Sequence, residues 1–206
     1  MTGFIAAYSL KEQIMDGWPS YKVPALSTLA SEFATMNRYY SSVPGQTVPN
    51  RLYFFSATSH GAVNDNDVDV GLGYPQRTIF ENIDQSSYNQ TWSVYFTDEP
   101  SAFYLKYPRK FPEKIHLIDQ FYTDIAKGEV ANMVFLDPRY NNDDAAGLMA
   151  EDQEAPHNVG MGDRLIKKVY EAIRASPVWE ETLFVLTYGM SFSGFLFPFP
   201  FLLLIF

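Results

Sequence analysis

Apolar positions along the chain follow two spacings, and these divide it into elements. Four short runs rich in Val, Phe, Tyr or Leu read as strands: Arg51 to Ser56, Trp92 to Phe96, Asn132 to Leu136 and Leu183 to Tyr188. The last two are almost continuously apolar, the pattern of strands buried on both faces of a parallel or mixed sheet. Between the runs the spacing turns helical. Pro24 to Phe33 places Leu26, Leu29, Ala30 and Phe33 on one face. Glu113 to Lys127 does the same with Ile115, Ile118, Phe121, Tyr122 and Ile125, and Gly128 is placed to cap it. Asp163 to Ala175 is the clearest helix. Leu165, Ile166, Val169, Tyr170 and Ile173 make one stripe, Arg164, Lys167, Lys168 and Glu171 lie mostly opposite, and Pro177 stops it. Strands and helices in alternation predict an α/β layered domain. Two long polar connections, Gly61 to Gln76 and Asp137 to Gly162, interrupt the scheme; loops of that length in a compact domain are functional or disordered.

Composition narrows the function classes. With 206 residues, 47% of them hydrophobic and 19% charged, the chain has enough apolar material for one domain with a real core, or two. A net charge of -9 repels phosphate backbones, so no nucleic acid partner is expected, although a locally positive phosphate site remains compatible with it. The absence of cysteine removes disulfides, thiolate nucleophiles and Cys-based metal sites. Met1 to Leu10 is apolar but lacks a basic leading region and a cleavage site, so no signal peptide is read there, and a cytoplasmic or peripheral membrane location is expected. Six of the 17 Phe lie after residue 191, in a stretch from Phe184 to Phe206 without a charge. Its first residues read as a core strand, and the rest is short and broken by Pro198 and Pro200. A membrane-associating tail is one reading of that rest; it lacks basic flanks.

The first candidate for chemistry is Thr47-Val-Pro-Asn-Arg51, the apolar run after it, and then Ser56-Ala-Thr-Ser-His-Gly61. Read as strand and turn, this puts hydroxyls, an imidazole and a glycine just past a strand's C-terminal end, where open α/β sheets bind ligands. A Thr or Ser hydroxyl becomes a nucleophile there if a base or metal lowers its pKa, and N–H groups of a glycine-containing turn hold anions. An ordinary strand-to-loop turn carries the same residues. Asp65-Asn-Asp67-Val-Asp69-Val lacks the glycine and the distal glutamate of a calcium loop and reads as a solvated acidic loop. His157, in Glu154-Ala-Pro-His-Asn158, is a metal ligand, an acid–base group or a loop residue without function. His116, between Ile115 and Leu117 on the second helix, reads as structural. Asn89-Gln-Thr91 matches a glycosylation sequon by pattern alone.

Several blocks in order resemble the plant and bacterial non-specific phospholipases C of the phosphoesterase family, and more distantly the acid phosphatases of the same superfamily. Pro49-Asn-Arg51 followed by Ser56-Ala-Thr-Ser-His-Gly-Ala62 is the most specific block. Gly73-Tyr-Pro-Gln-Arg-Thr-Ile-Phe80 is similar to the next, and Leu136-Asp-Pro-Arg-Tyr140 to a Glu-Pro-Arg-Tyr segment. From His157 through Ser176-Pro177 to Leu186-Thr-Tyr188 the likeness is nearly continuous. The resemblance implies an alkaline-phosphatase-like α/β fold, a central sheet flanked by helices, present here in incomplete form over residues 1–188. It implies hydrolysis of a glycerophospholipid phosphodiester to diacylglycerol and a phosphorylated head group. By the same resemblance Thr58 matches the hydroxyl that forms a phospho-enzyme, and His60 and His157 match site histidines. Asn50 and Arg51 match the motif that shapes the pocket, and Ser59 joins them as substrate-binding. A divalent metal ion is implied for the complete family site, with its ligands here unknown. The implied partners are a phospholipid or other phosphate ester and a membrane surface.

The departures carry a second expectation. The family's Glu-Asn-Arg-Ser-Phe-Asp-His block is not found, its His-Pro-Ser-His-Asp segment reads Glu154-Ala-Pro-His-Asn158, and its Asp-Glu-His-Gly-Gly is replaced by Gly189-Met-Ser-Phe-Ser-Gly194. Phosphoryl transfer needs positive charge or metal on the phosphate and an acid for the leaving group. The expectation is therefore a chain cut at both ends, with residues 189–206 a non-family tail. Its function is then either that hydrolysis or binding of lipid or a partner by an inactive remnant.

Overall fold

The computed structural model describes residues 17–36, 39–67 and 71–189 and the backbone of one strand at Leu202–Ile205. In chain order the elements are helix α1 (Pro24–Glu32), strand β1 (Ala34–Met36), helices α2 (Thr47–Ser56) and α3 (Ile79–Asp84), strands β2 (Trp92–Phe96) and β3 (Ile115–Leu117), helix α4 (Ile118–Lys127), strand β4 (Met133–Asp137), helix α5 (Val159–Arg174), and strands β5 (Phe184–Thr187) and β6 (Leu202–Ile205).

Strand β2 is the spine of a parallel sheet in the order β3-β2-β4. Val94 is opposite Ile115 on one side, and Phe96 is opposite Asp137 on the other. Side chains alternate across the pleat. Trp92 and Val94 enter one core with Leu52, Phe55 and Phe80 from α2 and α3. Tyr95 enters another with Phe121 and Ile125 of α4 and Val169 and Ile173 of α5. Strand β4 divides likewise, Met133 and Phe135 toward the first core, Val134 and Leu136 toward the second. The result is the expected α/β arrangement, a small parallel sheet with helices on both faces.

The parallel-sheet strands at Trp92 and Met133 and the three helices α1, α4 and α5 match the patterns in the sequence, with two changes. Helix α4 begins at Ile118, because Ile115–Leu117 is strand β3, so His116 lies on a strand and stacks on Tyr95 at 5.6 Å between centroids. Gly128 does cap α4, at φ 74°, and a Cβ there would lie 2.9 Å from Pro177 Cγ. Strand β5 pairs antiparallel with β6 in a separate sheet, β1-β6-β5, and Val185 is exposed, so this run is not buried on both faces. The expected tail otherwise falls on residues 190–201 and 206, outside the described residues.

The largest correction concerns Arg51 to Ser56, which is the last part of helix α2 and not a strand. Leu52, Tyr53, Phe54 and Phe55 form a continuous apolar run, which fits a buried strand and a helix equally. The positions upstream decide it: Val48, Leu52 and Phe55 recur at helical spacing and are buried, while Phe54 is 52% exposed. Pro49 sits in the first turn, where a missing N–H breaks no helix bond.

Helix α1 is held from α5. The buried carboxylate of Asp163 accepts the N–H groups of Ala25 (3.0 Å) and Leu26 (2.8 Å), satisfying donors at the positive end of α1. Asp163→Ala should cost about 1–2 kcal/mol, a fall in Tm of about 2–8 °C, with faster amide exchange at Ala25 and Leu26. Unchanged exchange at those two amides would show that the cap does not hold α1.

Candidate active site

Helix α2 delivers the candidate residues, and each of its ends is fixed. At the start, Asp65 Oδ1 accepts the Val48 N–H at 2.9 Å, and Gln46 Oε1 accepts the Asp65 N–H at 2.7 Å. The Asp65 carboxylate thereby meets the positive end of the helix. One residue of the expected solvated acidic loop is thus a cap. Asp67 is another bracket, taking the N–H groups of Val63 and Asn64, and these backbone bonds hold its carboxyl below the usual range. Asp69 lies outside the described residues.

Asn50 and Arg51 lie on α2 and are both committed to protein partners. The Asn50 amide accepts from Val43 N (3.0 Å) and donates to the carbonyls of Val43, Gly45 and Gln46, closing the loop that enters the helix. Arg51 Nη1 reaches Asp137 Oδ1 at 2.5 Å and Ser101 Oγ at 3.0 Å. Asp137 ends strand β4 and is fully buried. Its two oxygens also accept the Ser101 N–H (2.8 Å), the Ser101 hydroxyl and the Tyr140 hydroxyl (2.6 Å). The Arg51 guanidinium lies over the Tyr140 ring at 5.1 Å. Burial pulls the Arg51 pKa down, but the charge and hydrogen bond of Asp137, together with Tyr140 and Tyr104, outweigh it, so the net shift is upward. Burial likewise pushes the Tyr140 hydroxyl up, with Asp137 adding to the effect and Arg51 opposing it. Both groups keep their protons.

Thr58, Ser59 and His60 follow the C-terminal end of α2, not the end of a strand as the sequence suggests. The link to the C-terminal edge of the sheet is made instead by Arg51 through Asp137. Ala57 turns the chain out of the helix in the left-handed region (φ 57°), and His60 (φ 55°) and Gly61 (φ 88°) turn it again. Left-handed backbone at two residues bearing Cβ is costly and is held only by its surroundings. Gln76 supplies that support, donating to Ser56 Oγ (3.2 Å) and the Thr58 carbonyl (3.3 Å). The Thr58 hydroxyl accepts the His60 N–H at 3.2 Å, and the His60 ring packs against Tyr74 at a tilt, with centroids 5.3 Å apart. Among the described residues, the N–H groups of Thr58, Ser59 and Gly61 have no intramolecular acceptor. The turn thus carries the Thr58 hydroxyl and several N–H groups without acceptors, Ser59 being buried, and unpaired N–H groups in one turn suit an anion.

His157 belongs to a second loop, just before α5. Its Nδ1 lies 2.8 Å from Asp152 Oδ1. An ionised carboxylate only accepts, so in this contact Nδ1 is the donor and Asp152 orients the ring. Glu154 nearby has its pKa raised, first by burial and then by the charges of Asp152 and Asp65, with His157 opposing. The field of Asp65 places this loop near the start of α2. No hydrogen bond joins His157 to Thr58. Among the described residues, no three His, Asp or Glu side chains converge as a metal site, so the residues present do not match the implied cation and no step is assigned to one.

Sequence reasoning missed Asp137, Ser101, Gln76 and the capping role of Asp65. Asp137 left a signal, a lone acid closing an apolar run within Leu136-Asp-Pro-Arg-Tyr140. Asp137→Ala strands a mostly buried Arg51 and should cost about 3–5 kcal/mol, whereas Arg51→Met with Asp137→Leu should recover only the share due to the stranded charge, since Ser101 and Tyr140 still lose their acceptor. Urea unfolding midpoints of the two variants measure this, and equal losses in both would contradict it. For Glu154 the folded pKa lies above the unfolded one, so its ionisation destabilises the fold as pH rises through the folded value. Glu154→Gln should therefore raise Tm at neutral pH and leave it unchanged in acid; a rise of equal size at both would exclude ionisation as the cause.

A model of the Phosphoesterase family matches residues 1–190. The chain is 39% identical over 183 residues to non-specific phospholipase C6 of Arabidopsis thaliana. It is 36% identical over 182 residues to non-specific phospholipase C4 and 37% over 180 residues to non-specific phospholipase C3 of the same plant. These alignments cover 85–87% of this chain and 33–34% of the relatives, so the chain spans about a third of the length of the curated relatives it matches.

Proposed function

This chain belongs to the Phosphoesterase family, and from that membership we propose that it hydrolyses the phosphodiester of glycerophospholipids through Thr58. The observation that carries the reading is the Thr58 hydroxyl among the open N–H groups of Thr58, Ser59 and Gly61. In the proposed step Thr58 Oγ1 attacks phosphorus and gives up its proton, and the bond from phosphorus to the glycerol oxygen breaks. The diacylglycerol oxygen takes a proton and leaves, and water then releases the phosphorylated head group from Thr58. The open N–H groups stabilise charge on the phosphoryl oxygens. His60 and His157 are the proton carriers, the latter oriented by Asp152. Asn50 and Arg51 act as positioning residues, because their bonds to the entry loop and to Asp137 set where α2 ends. Ser59, buried beside Thr58, shapes the phosphate cradle.

One observation favours a second reading, binding without turnover: among the described residues, the one donor on the Thr58 hydroxyl is the His60 N–H, with no side-chain base hydrogen-bonded to it. A single experiment decides. Purified protein is incubated with phosphatidylcholine vesicles and released phosphocholine is measured. The hydrolase reading expects release, reduced roughly 10³-fold or more in Thr58→Ala. Release unaffected by that substitution refutes the role of Thr58, and vesicle binding without release establishes the second reading.

A further inference from the structure

The described residues enclose an open groove of about 510 Å³ between α1 and the start of α5. Trp18, Val23 and the α1 residues Leu26, Ser27 and Ala30 line it, together with Val159 of α5, Gln153 and Tyr188. None of these residues is charged, and the volume falls in the range of small-molecule sites.

We propose that this groove holds one acyl chain of the lipid whose phosphate is attacked at Thr58, an inference that rests on the hydrolase reading for the rest of that molecule. Three features select an acyl chain over other occupants. First, the two larger polar groups at the groove are already satisfied. The Tyr188 hydroxyl donates to Gln153 Oε1, and Gln153 Nε2 donates to the Val159 carbonyl at 2.9 Å. An extended peptide laid there would leave its own N–H and C=O groups unpaired, whereas a hydrocarbon has none to pair. Second, no cation lines it, so a phosphate or head group finds no counter-charge.

Third, two of the lining residues, Gln153 and Tyr188, adjoin both halves of the candidate site. Gln153 is next in sequence to Asp152, the partner of His157. Tyr188 leads into Gly189, where a Cβ would lie 3.8 Å from Asn50 Cβ. Two contacts fix these lining elements. Asp163 pins the first turn of α1, and Gln153 packs so close to α5 that a Cβ on Gly162 would lie 2.3 Å from its Cγ. In the proposed pose the ester end lies at Gln153 and Tyr188, on the side of His157 and Asn50.

Trp18, 63% exposed and lining the groove, is the reporter. The probe is a dibrominated stearoyl lysophosphatidylcholine below its micelle concentration, whose bromines quench nearby indoles. We expect saturable quenching, most of it lost in Trp18→Phe, at least tenfold weaker binding in Ala30→Phe, and no competition from phosphocholine. If Ala30→Phe loses its far-UV dichroism, Ser27→Phe on the same wall makes the same comparison. Equal affinity in the filled and native grooves, competition by phosphocholine, or no quenching at all overturns the proposal. Quenching needs no turnover, so the two readings fail separately. Binding of the probe without phosphocholine release removes the hydrolase and keeps the groove; release without probe binding removes the groove and keeps the hydrolase.

Discussion

A buried ion pair between Arg51 and Asp137 sets the geometry on which the candidate site depends. The carboxylate is wholly buried and the guanidinium side chain is 18% exposed, so desolvation works against both. What offsets it is saturation. Ser101 and Tyr140 bring further donors to the same carboxylate, and the Tyr140 ring faces the cation. Such a fully partnered network has one low-energy arrangement. It locks helix α2 to the C-terminal end of β4 at one rotation and one height. The apolar face of α2, Val48, Leu52 and Phe55, would alone allow some sliding against the sheet. Because Thr58 lies seven residues beyond Arg51, any slide would move its hydroxyl.

The acidic balance of the chain takes on a different meaning in this light. Much of it holds backbone. Asp65 and Asp163 receive helix N–H groups, Asp67 the loop at Val63 and Asn64, and Asp98 the N–H groups of Tyr140 and Asn141. Asp84 ties the Trp92 indole, Tyr107 and Lys114 together; burial works against its charge, but those donors hold its carboxyl below the usual range. Asp67 and Asp98 in particular hold long polar connections, the latter at the start of the loop that carries His157. The net charge thus describes internal brackets as much as it describes a surface.

What could be read from the sequence follows the same division. The stripes of α4 and α5 are legible because a face that packs on a sheet must repeat at helical spacing, and β2 is legible through its aromatic and β-branched run. The stretch Leu52 to Phe55 defeats periodicity because every position is apolar, although only one side is buried. Thr58, Ser59 and His60 were legible as residue types, and their family blocks placed them together. Asp137 and Gln76 were not legible as partners. They lie 86 residues after Arg51 and 20 after Ser56, and no local spacing encodes such contacts. The groove was equally silent, since α1 meets α5 through contacts far apart in sequence, the cap at Asp163 and the packing of Leu29 on Ile166.

The central claim is that α2, held by Asp137, presents Thr58 as the group that accepts the head-group phosphate. Rapid acid quenching of the protein during turnover on phosphatidylcholine, followed by peptide mass spectrometry, tests it directly. The account predicts a phosphocholine ester on the peptide containing Thr58, located at that residue by fragmentation. An ester on any other side chain, or hydrolysis that proceeds with Thr58 never modified, would contradict it.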